Sequence, residues 1–485
     1  IDATVALGDI DLSGTSMLVA QTDLNIAIAG VGDIALSGAS SLIATTGTLT
    51  IDQLNGDLSF QDRSTLNAAT HIDITLTDGD VTTSSATTLR SDVDITINVE
   101  SGTAILTHRS VFDAGDTLTL NASGGVAGSG LTDLLGGQLV RLDVATGDGI
   151  FINTTKVESG QGNVDVSIET GSLSISDETS VVADKVNSVT IVTGDLSLAD
   201  TSTLTAGSQA NVTVDTGDIS LSESSAMTSD GALDLTLTTG SLDLSEAAQI
   251  AAKQAASVTI ETGDLSLTDT TKITSATDAS IVIGTGNLGL TENTRIGAGR
   301  DLGITLGTGQ LTLNDATTLS AGSDLGITIT HGSVTMEDTE TLITARDITL
   351  RVLAGLTPNQ PGNVQIDLIQ ALNSTRIEAL DGAILDNTAS EIVDNIISPI
   401  LNVVASDGIG VAWEDNLNVN TQTLTALNTR TGGINIQNRT GMNIGLAGVR
   451  NLAAGDVVLI AQGPIEYQNS GYSAGITSDP FGIFT

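Results

Sequence analysis

From Gly171 to Gly355 a glycine returns every 23 residues, at Gly171, Gly194, Gly217, Gly240, Gly263, Gly286, Gly309, Gly332 and Gly355. A fixed period between about 20 and 50 residues marks a repeat array, in which each unit is too small to bury its own apolar face and must stack on its neighbours. Gly8, Gly32, Gly56, Gly79, Gly102, Gly125 and Gly147 carry the same frame backwards with slips of one residue. The fifteen intervals from Gly8 to Gly355 describe a stack roughly 70 Å long at ~4.8 Å per coil.

The interior of one period reads as strand. After Gly194, apolar residues stand at Leu196 and Leu198, Leu204 and Ala206, and Val212 and Val214; two periods on they stand at Leu242, Leu244, Ile250, Ala252, Val258 and Ile260. Most of these pairs enclose a polar residue, as at Ser197, Thr213, Asp243 and Thr259, which is the period-two signature of a strand with one buried face. A helical period of 3.6 residues cannot produce this pattern, and the β-branched residues agree with strand. The spacing predicts an all-β fold, a right-handed parallel β-helix with 23 residues and three strands of about three to five residues per coil. A left-handed coil of hexapeptides would need a period near 18.

Length alone would allow about three domains, yet the repeat runs through without a linker. We expect a regular β-helix of about fifteen coils over 1–355 and a less regular continuation with insertions over 356–485. All five prolines, the single Trp413 and both tyrosines, Tyr467 and Tyr472, fall in the second part. There the stretch from Asn363 to Arg376 leaves the three-strand frame and reads as a short helix or a lateral insertion. The Gly-rich stretch from Ala122 to Gly137 lacks the lysine and the helix of a phosphate loop and reads as a coil with altered turns.

Aromatic residues make up 2% of the chain, so Leu, Ile, Val and Ala must fill the core. With no cysteine there is neither a disulfide framework nor a thiolate metal site. No apolar run reaches the ~18 residues of a membrane span. The chain starts at Ile1 in mid-pattern, as a mature product or an internal segment would. The net charge of −42 disfavours nucleic acid and anionic lipid as partners, because both need a basic footprint.

Part of that acidity is ordered. Six residues after each repeat glycine stands an acid: Asp177, Asp200, Glu223, Glu246, Asp269, Glu292, Asp315 and Asp338. Stacked at ~4.8 Å, like charges cost about 0.9 kcal/mol per adjacent pair in bulk water. Two readings follow: a ladder of hard oxygen ligands for Ca²⁺, or a turn whose short acids accept backbone N–H groups. No other cofactor is expected. A second ladder, Thr170, Thr193, Thr216, Thr239, Thr262, Thr285 and Thr308, reads as strand threonines stacked in a column. The three histidines, His71, His108 and His331, fall on different coils and read as exposed turn or strand residues.

The phrases GAILD (Gly382–Asp386), ASDGIG (Ala405–Gly410), LTALNTRTGG (Leu424–Gly433) and INIQNRTGMNIG (Ile434–Gly445), with the repeated TGDLSL units, resemble the filamentous-haemagglutinin-type exoproteins and giant repeat adhesins of Gram-negative bacteria. The resemblance implies a right-handed β-helix exported across the outer membrane and displayed for adhesion or cell-surface structure. The amino-terminal secretion domain of that family is not recognisable in this chain.

We therefore expect an extracellular or cell-surface structural solenoid, an adhesin shaft or fibre subunit without catalysis. The alternative is a polysaccharide-active β-helix enzyme or a carbohydrate-binding module. Expected partners are further coils of a longer chain or other copies joined end to end, since the pattern is already running by Leu7 and an open coil exposes strand edges. A host or neighbouring cell surface or a polysaccharide is a further expected partner.

Overall fold

A computed structural model describes residues 1–337, 340–388, 393–410, 416–467 and 476–479, with the backbone alone at 467 and 476–479. Every element among the described residues is a β-strand, and the ladders between named strands are parallel, as in a β-solenoid. The chain divides into two units, Ile1–Thr239 with Ala248–Ala252, and Gly240–Ala247 with Lys253–Thr485.

In the first unit a representative coil consists of Leu196–Leu198, Thr203–Ala206 and Gln209–Thr216. Leu196 pairs with Ile219, Thr203 with Ala226 and Gln209 with Ala232, so each strand lies on its equivalent 23 residues away. The third strand is eight residues long, more than the three to five expected. Thr216, directly before the glycine, still pairs with Thr239, so the ladder persists to the corner although the apolar alternation stops at Val214. Leu196, Leu198, Leu204, Ala206, Ala210, Val212 and Val214 all point inward and are no more than 1% exposed. At ~25 cal/mol per Å², burying each leucine contributes about 1.5–3 kcal/mol.

The repeat glycine makes the corner. Gly217 has φ = 143°, and a Cβ there would lie 2.0 Å from the carbonyl oxygen of Gly194 in the neighbouring coil. Its N–H donates to the Thr239 carbonyl at 2.9 Å. Any side chain would force stacked corners apart, and this close approach fixes the period.

The stretch from Ala122 to Gly137 is an ordinary coil with adjusted packing. It supplies Val126–Ser129 and Asp133–Gly136, and Ala104 pairs with Val126 at a spacing of 22, one residue removed from the turn. Gly128 leaves room for the buried Phe151 ring, which a Cβ would meet at 2.9 Å.

The second unit opens with Leu242–Leu244, paired with Leu265–Leu267, and keeps the same frame. From Leu302 the third strand of one coil runs through the glycine corner into the first strand of the next, giving Leu302–Leu313 and Asp324–Met336, whereas Leu342–Ala354 joins a second strand to the third strand that follows it. The expected helix or lateral insertion at 363–376 is instead Val364–Ile366 and the first part of Leu368–Ala379. Its apolar residues follow a period of two, with Ile369, Ala371, Ile377 and Ala379 buried, and Ile377 and Ala379 stack on Leu350 and Val352. What broke the pattern in the sequence is a bulge: the register shifts between Ala345 and Asp347, and Leu372 is left 75% exposed.

Candidate functional site

The acidic ladder stands in the turn between the first and second strands of a coil. In Ser176–Asp177–Glu178–Thr179 the Thr179 N–H returns to the Ser176 carbonyl at 3.3 Å, and the two central residues have φ of 55° and 61°. Two left-handed residues inside such a bond make a type I′ turn. The ladder acid is the first central residue of each described turn, with φ of 59° at Asp200 and Glu223, 55° at Glu246, 54° at Asp269, 60° at Glu292 and 55° at Asp315. The second central residue is left-handed as well in all but the Asp200 and Glu223 turns, which are not type I′. Asp338 lies outside the described residues. Short side chains that bond locally tolerate this conformation best. In earlier coils the position is filled by Gly38, Asp62, Ser85, His108 and Asn153, also with positive φ.

In the first unit Asp177, Glu178, Asp200 and Glu223 line an open groove of about 420 Å³. The Asp177 N–H donates to Asp200 Oδ2 at 3.2 Å, so one rung is bonded to the next through the backbone. In the second unit the Asp269 carboxyl hydrogen-bonds to Glu292, and this bond with the Asp269 charge holds the Glu292 carboxyl above the usual carboxylate range. Among the described residues, no three His, Asp or Glu side chains come together as a metal-holding group. The turn reading of the ladder thus has a bonding pattern on the molecule.

The sequence reading passed over a second acidic column. The residue after each repeat glycine is commonly Asp, Ser or Asn, and its side chain accepts the backbone N–H of the equivalent residue in an adjacent coil. Asp33 donates to Asp9 at 2.9 Å, Asp57 to Asp33 at 2.9 Å, Asp80 to Asp57 at 3.0 Å and Asp218 to Asp195 at 2.8 Å. Asn287 N donates to Asp264 and Gln310 N to Asn287 in the second unit. The signal was there, in the recurring Gly-Asp and Gly-Ser pairs.

A buried hydroxyl column closes the type I′ turns. Thr87, Ser110 and Thr155 are no more than 1% exposed and donate to the carbonyl three residues earlier at 2.7 to 2.9 Å, whereas the equally buried Ser202 donates to the Ile175 carbonyl of the preceding coil at 3.0 Å. The threonines before the glycines act through their backbone: Thr193 and Thr216 carbonyls accept the N–H of Gly171 and Gly194. Hydroxyl-to-hydroxyl bonds between coils occur at Thr48–Thr70 and Thr205–Thr228.

The histidines stand apart. His71 opens a strand and pairs with Asp94 at 3.2 Å, His108 lies in a type I′ turn position, and His331 is an exposed strand residue.

In the second unit, Glu378, Asp381 and Asp407 are matched with arginines. Buried Glu378 meets Arg351 at 2.6 Å and also Arg376. Burial alone would raise its pKa, but the two guanidinium bonds outweigh it and leave the carboxyl below its ordinary value. Arg430 bridges Asp381 and Asp407, and its hydrogen bonds hold the Asp407 carboxyl below its ordinary value. Trp413 and Tyr472, the aromatic residues that a sugar platform would need beside these acids, lie outside the described residues. No protein-family model matches the chain, and neither a curated protein nor a solved structure matches it.

Proposed function

We propose that this chain is a structural stretch of a secreted or surface-displayed fibrous exoprotein of the filamentous-haemagglutinin kind, serving as a shaft or spacer and doing no catalysis itself. The observation that supports the reading is the constant bonding frame within each unit. Successive coils are tied by three strand ladders, a backbone bond at the glycine corner and a side-chain bond one residue later, at the same 23-residue offset. Those bonds run along the stacking direction, so a pull along it loads a whole coil interface in parallel. A spacer under tension needs that arrangement.

Force spectroscopy on the 485-residue chain held by its ends tests the reading. Extension should proceed in steps of about 75 Å or multiples of it, the contour released by one coil at ~3.5 Å per residue less ~4.8 Å of stack. Featureless extension at low force, or release of reducing ends from a polysaccharide by the purified chain, would overturn it.

The acidic ladder is the proposed cation site within this shaft. Millimolar Ca²⁺ should raise the thermal midpoint by binding the folded state, and Asp200→Asn with Glu223→Gln should abolish the rise. A midpoint unmoved by Ca²⁺ would leave the ladder to turn formation alone.

A further inference from the structure

One outward column in the first unit changes character in the middle. Along the first strand of successive coils it runs Asp11, Ala35, Ser59 and Thr82, then Ile105, Ala127 and Ile150, then Ser174, Ser197 and Ser220. Ile105 is 40% and Ile150 37% exposed, where neighbouring coils carry hydroxyl or small residues. Single exposed aliphatics are ordinary, but consecutive ones in a stacked column form a strip of apolar surface.

Before the glycine corner, the same coils carry a notch. The column at the end of the third strand reads Thr77, Glu100, Ser123, Ala145, Glu169 and Val192, following the register of the residues before it. Two short side chains between two glutamates leave a depression of about 400 Å³, walled on one side by Asn121 and Asp143. The glutamate rows are three coils apart, about 14 Å at ~4.8 Å per coil. No lining residue is cationic, and Arg141 ion-pairs with Asp165 at 3.6 Å. Asn121 Oδ1 is sealed from solvent without a hydrogen-bond partner. Burial pushes the Asp143 carboxyl above its ordinary value, with Asp165 adding to the rise and Arg141 opposing it.

We propose that the coils from Asn98 to Glu169 dock an extended polypeptide segment of a partner, with a lysine or arginine side chain entering the notch between Glu100 and Glu169 and a neighbouring aliphatic side chain covering Ile105, Ala127 and Ile150. Charge complementarity selects this occupant. The notch is lined by the carboxylates of Glu100, Asp143 and Glu169 and by no cationic side chain, so the incoming charged group is a cationic donor. A small cation alone would leave the apolar strip uncovered. A second copy of this chain carries −42 and is repelled. The proposal does not depend on the shaft reading, since a docking strip can sit on a solenoid of any function.

The test is fluorescence anisotropy of the 485-residue chain with a labelled twelve-residue peptide of alternating lysine and leucine. Ile105→Thr with Ile150→Ser installs residue types already present at Thr82 and Ser174, so the fold should survive, which circular dichroism checks. That pair, and separately Glu100→Gln with Glu169→Gln, should each weaken binding about tenfold or more. Asp52→Asn with Asp215→Asn, which removes the same charge from exposed third-strand positions of other coils, should change it less than about twofold. Equal weakening by the control pair would reduce the effect to general polyanion attraction and overturn the proposal. An isoleucine pair without effect would do the same, and so would spermidine or a chitosan hexamer binding more tightly than the peptide at the notch. A dimer in sedimentation that dissolves in the isoleucine pair would assign the strip to a second copy instead.

Discussion

Glu292 shows what a ladder position costs a single residue. Its carboxyl bonds to Asp269, and that bond and the neighbouring charge lift its pKa in the folded chain. A carboxyl raised on folding stabilises the fold fully below its unfolded value, about 4.3, and the contribution is lost as pH rises through the folded value. Glu292→Gln should therefore be more stable than the parent at neutral pH, with the difference closing as pH falls through the raised folded value and gone by about pH 4. Urea unfolding at a series of pH values measures this, and a gap that widens on acidification would be the wrong sign. The eight ladder acids were legible as a period in the sequence, and a turn was one of the two readings it allowed, but the backbone conformation of that turn was not legible. A one-letter pattern shows that Asp and Glu recur; it does not show that φ there is near 55° in coil after coil, which is why Gly38, Ser85 and Asn153 fill the same place.

Among the strands, inside and outside were readable because the alternation is strict. Leu267 is fully buried, and Ser266 faces out, stacked on Asp243. Leu267→Asp should bury an unpaired charge and cost several kcal/mol, whereas Ser266→Asp should be within about 0.5 kcal/mol of the parent. Denaturant melts of the two variants separate the cases, and equal losses would mean that the strand is turned the other way. The third strand was underestimated because its last residues, Glu169 and Thr170 for example, are exposed and polar. They belong to the ladder through backbone bonds alone, and a hydropathy pattern cannot register those. The strand at Leu368–Ala379 was missed for a related reason, since at the register shift an apolar Leu372 faces out and a polar Asn373 stands where the alternation calls for an inward apolar residue. The notch at Ser123 and Ala145 left no signal either, because a depression is made by what two adjacent coils lack relative to their neighbours.

On the scale of the molecule the sequence was most informative, because a solenoid repeats one local decision and errors do not accumulate across distant contacts. Its glycine corner carries a further consequence. Gly194 and Gly217 meet equivalent neighbours at the same offset, so the polypeptide has a natural unit of excision. Removing residues 195–217 joins Gly194 to Asp218, in the same setting that Asp195 left, and every strand beyond stays in phase. Such a chain should fold and melt within a few degrees of the parent. Deleting Val212 alone turns Thr213 inward and should cost a few kcal/mol, as a cavity and a buried hydroxyl together do. Calorimetry of the two deletions decides, and the larger one should be the milder. Recombination between repeats can therefore lengthen or shorten this protein by whole coils without redesigning any of them, which makes its reach a trait that heredity can adjust in steps of one period.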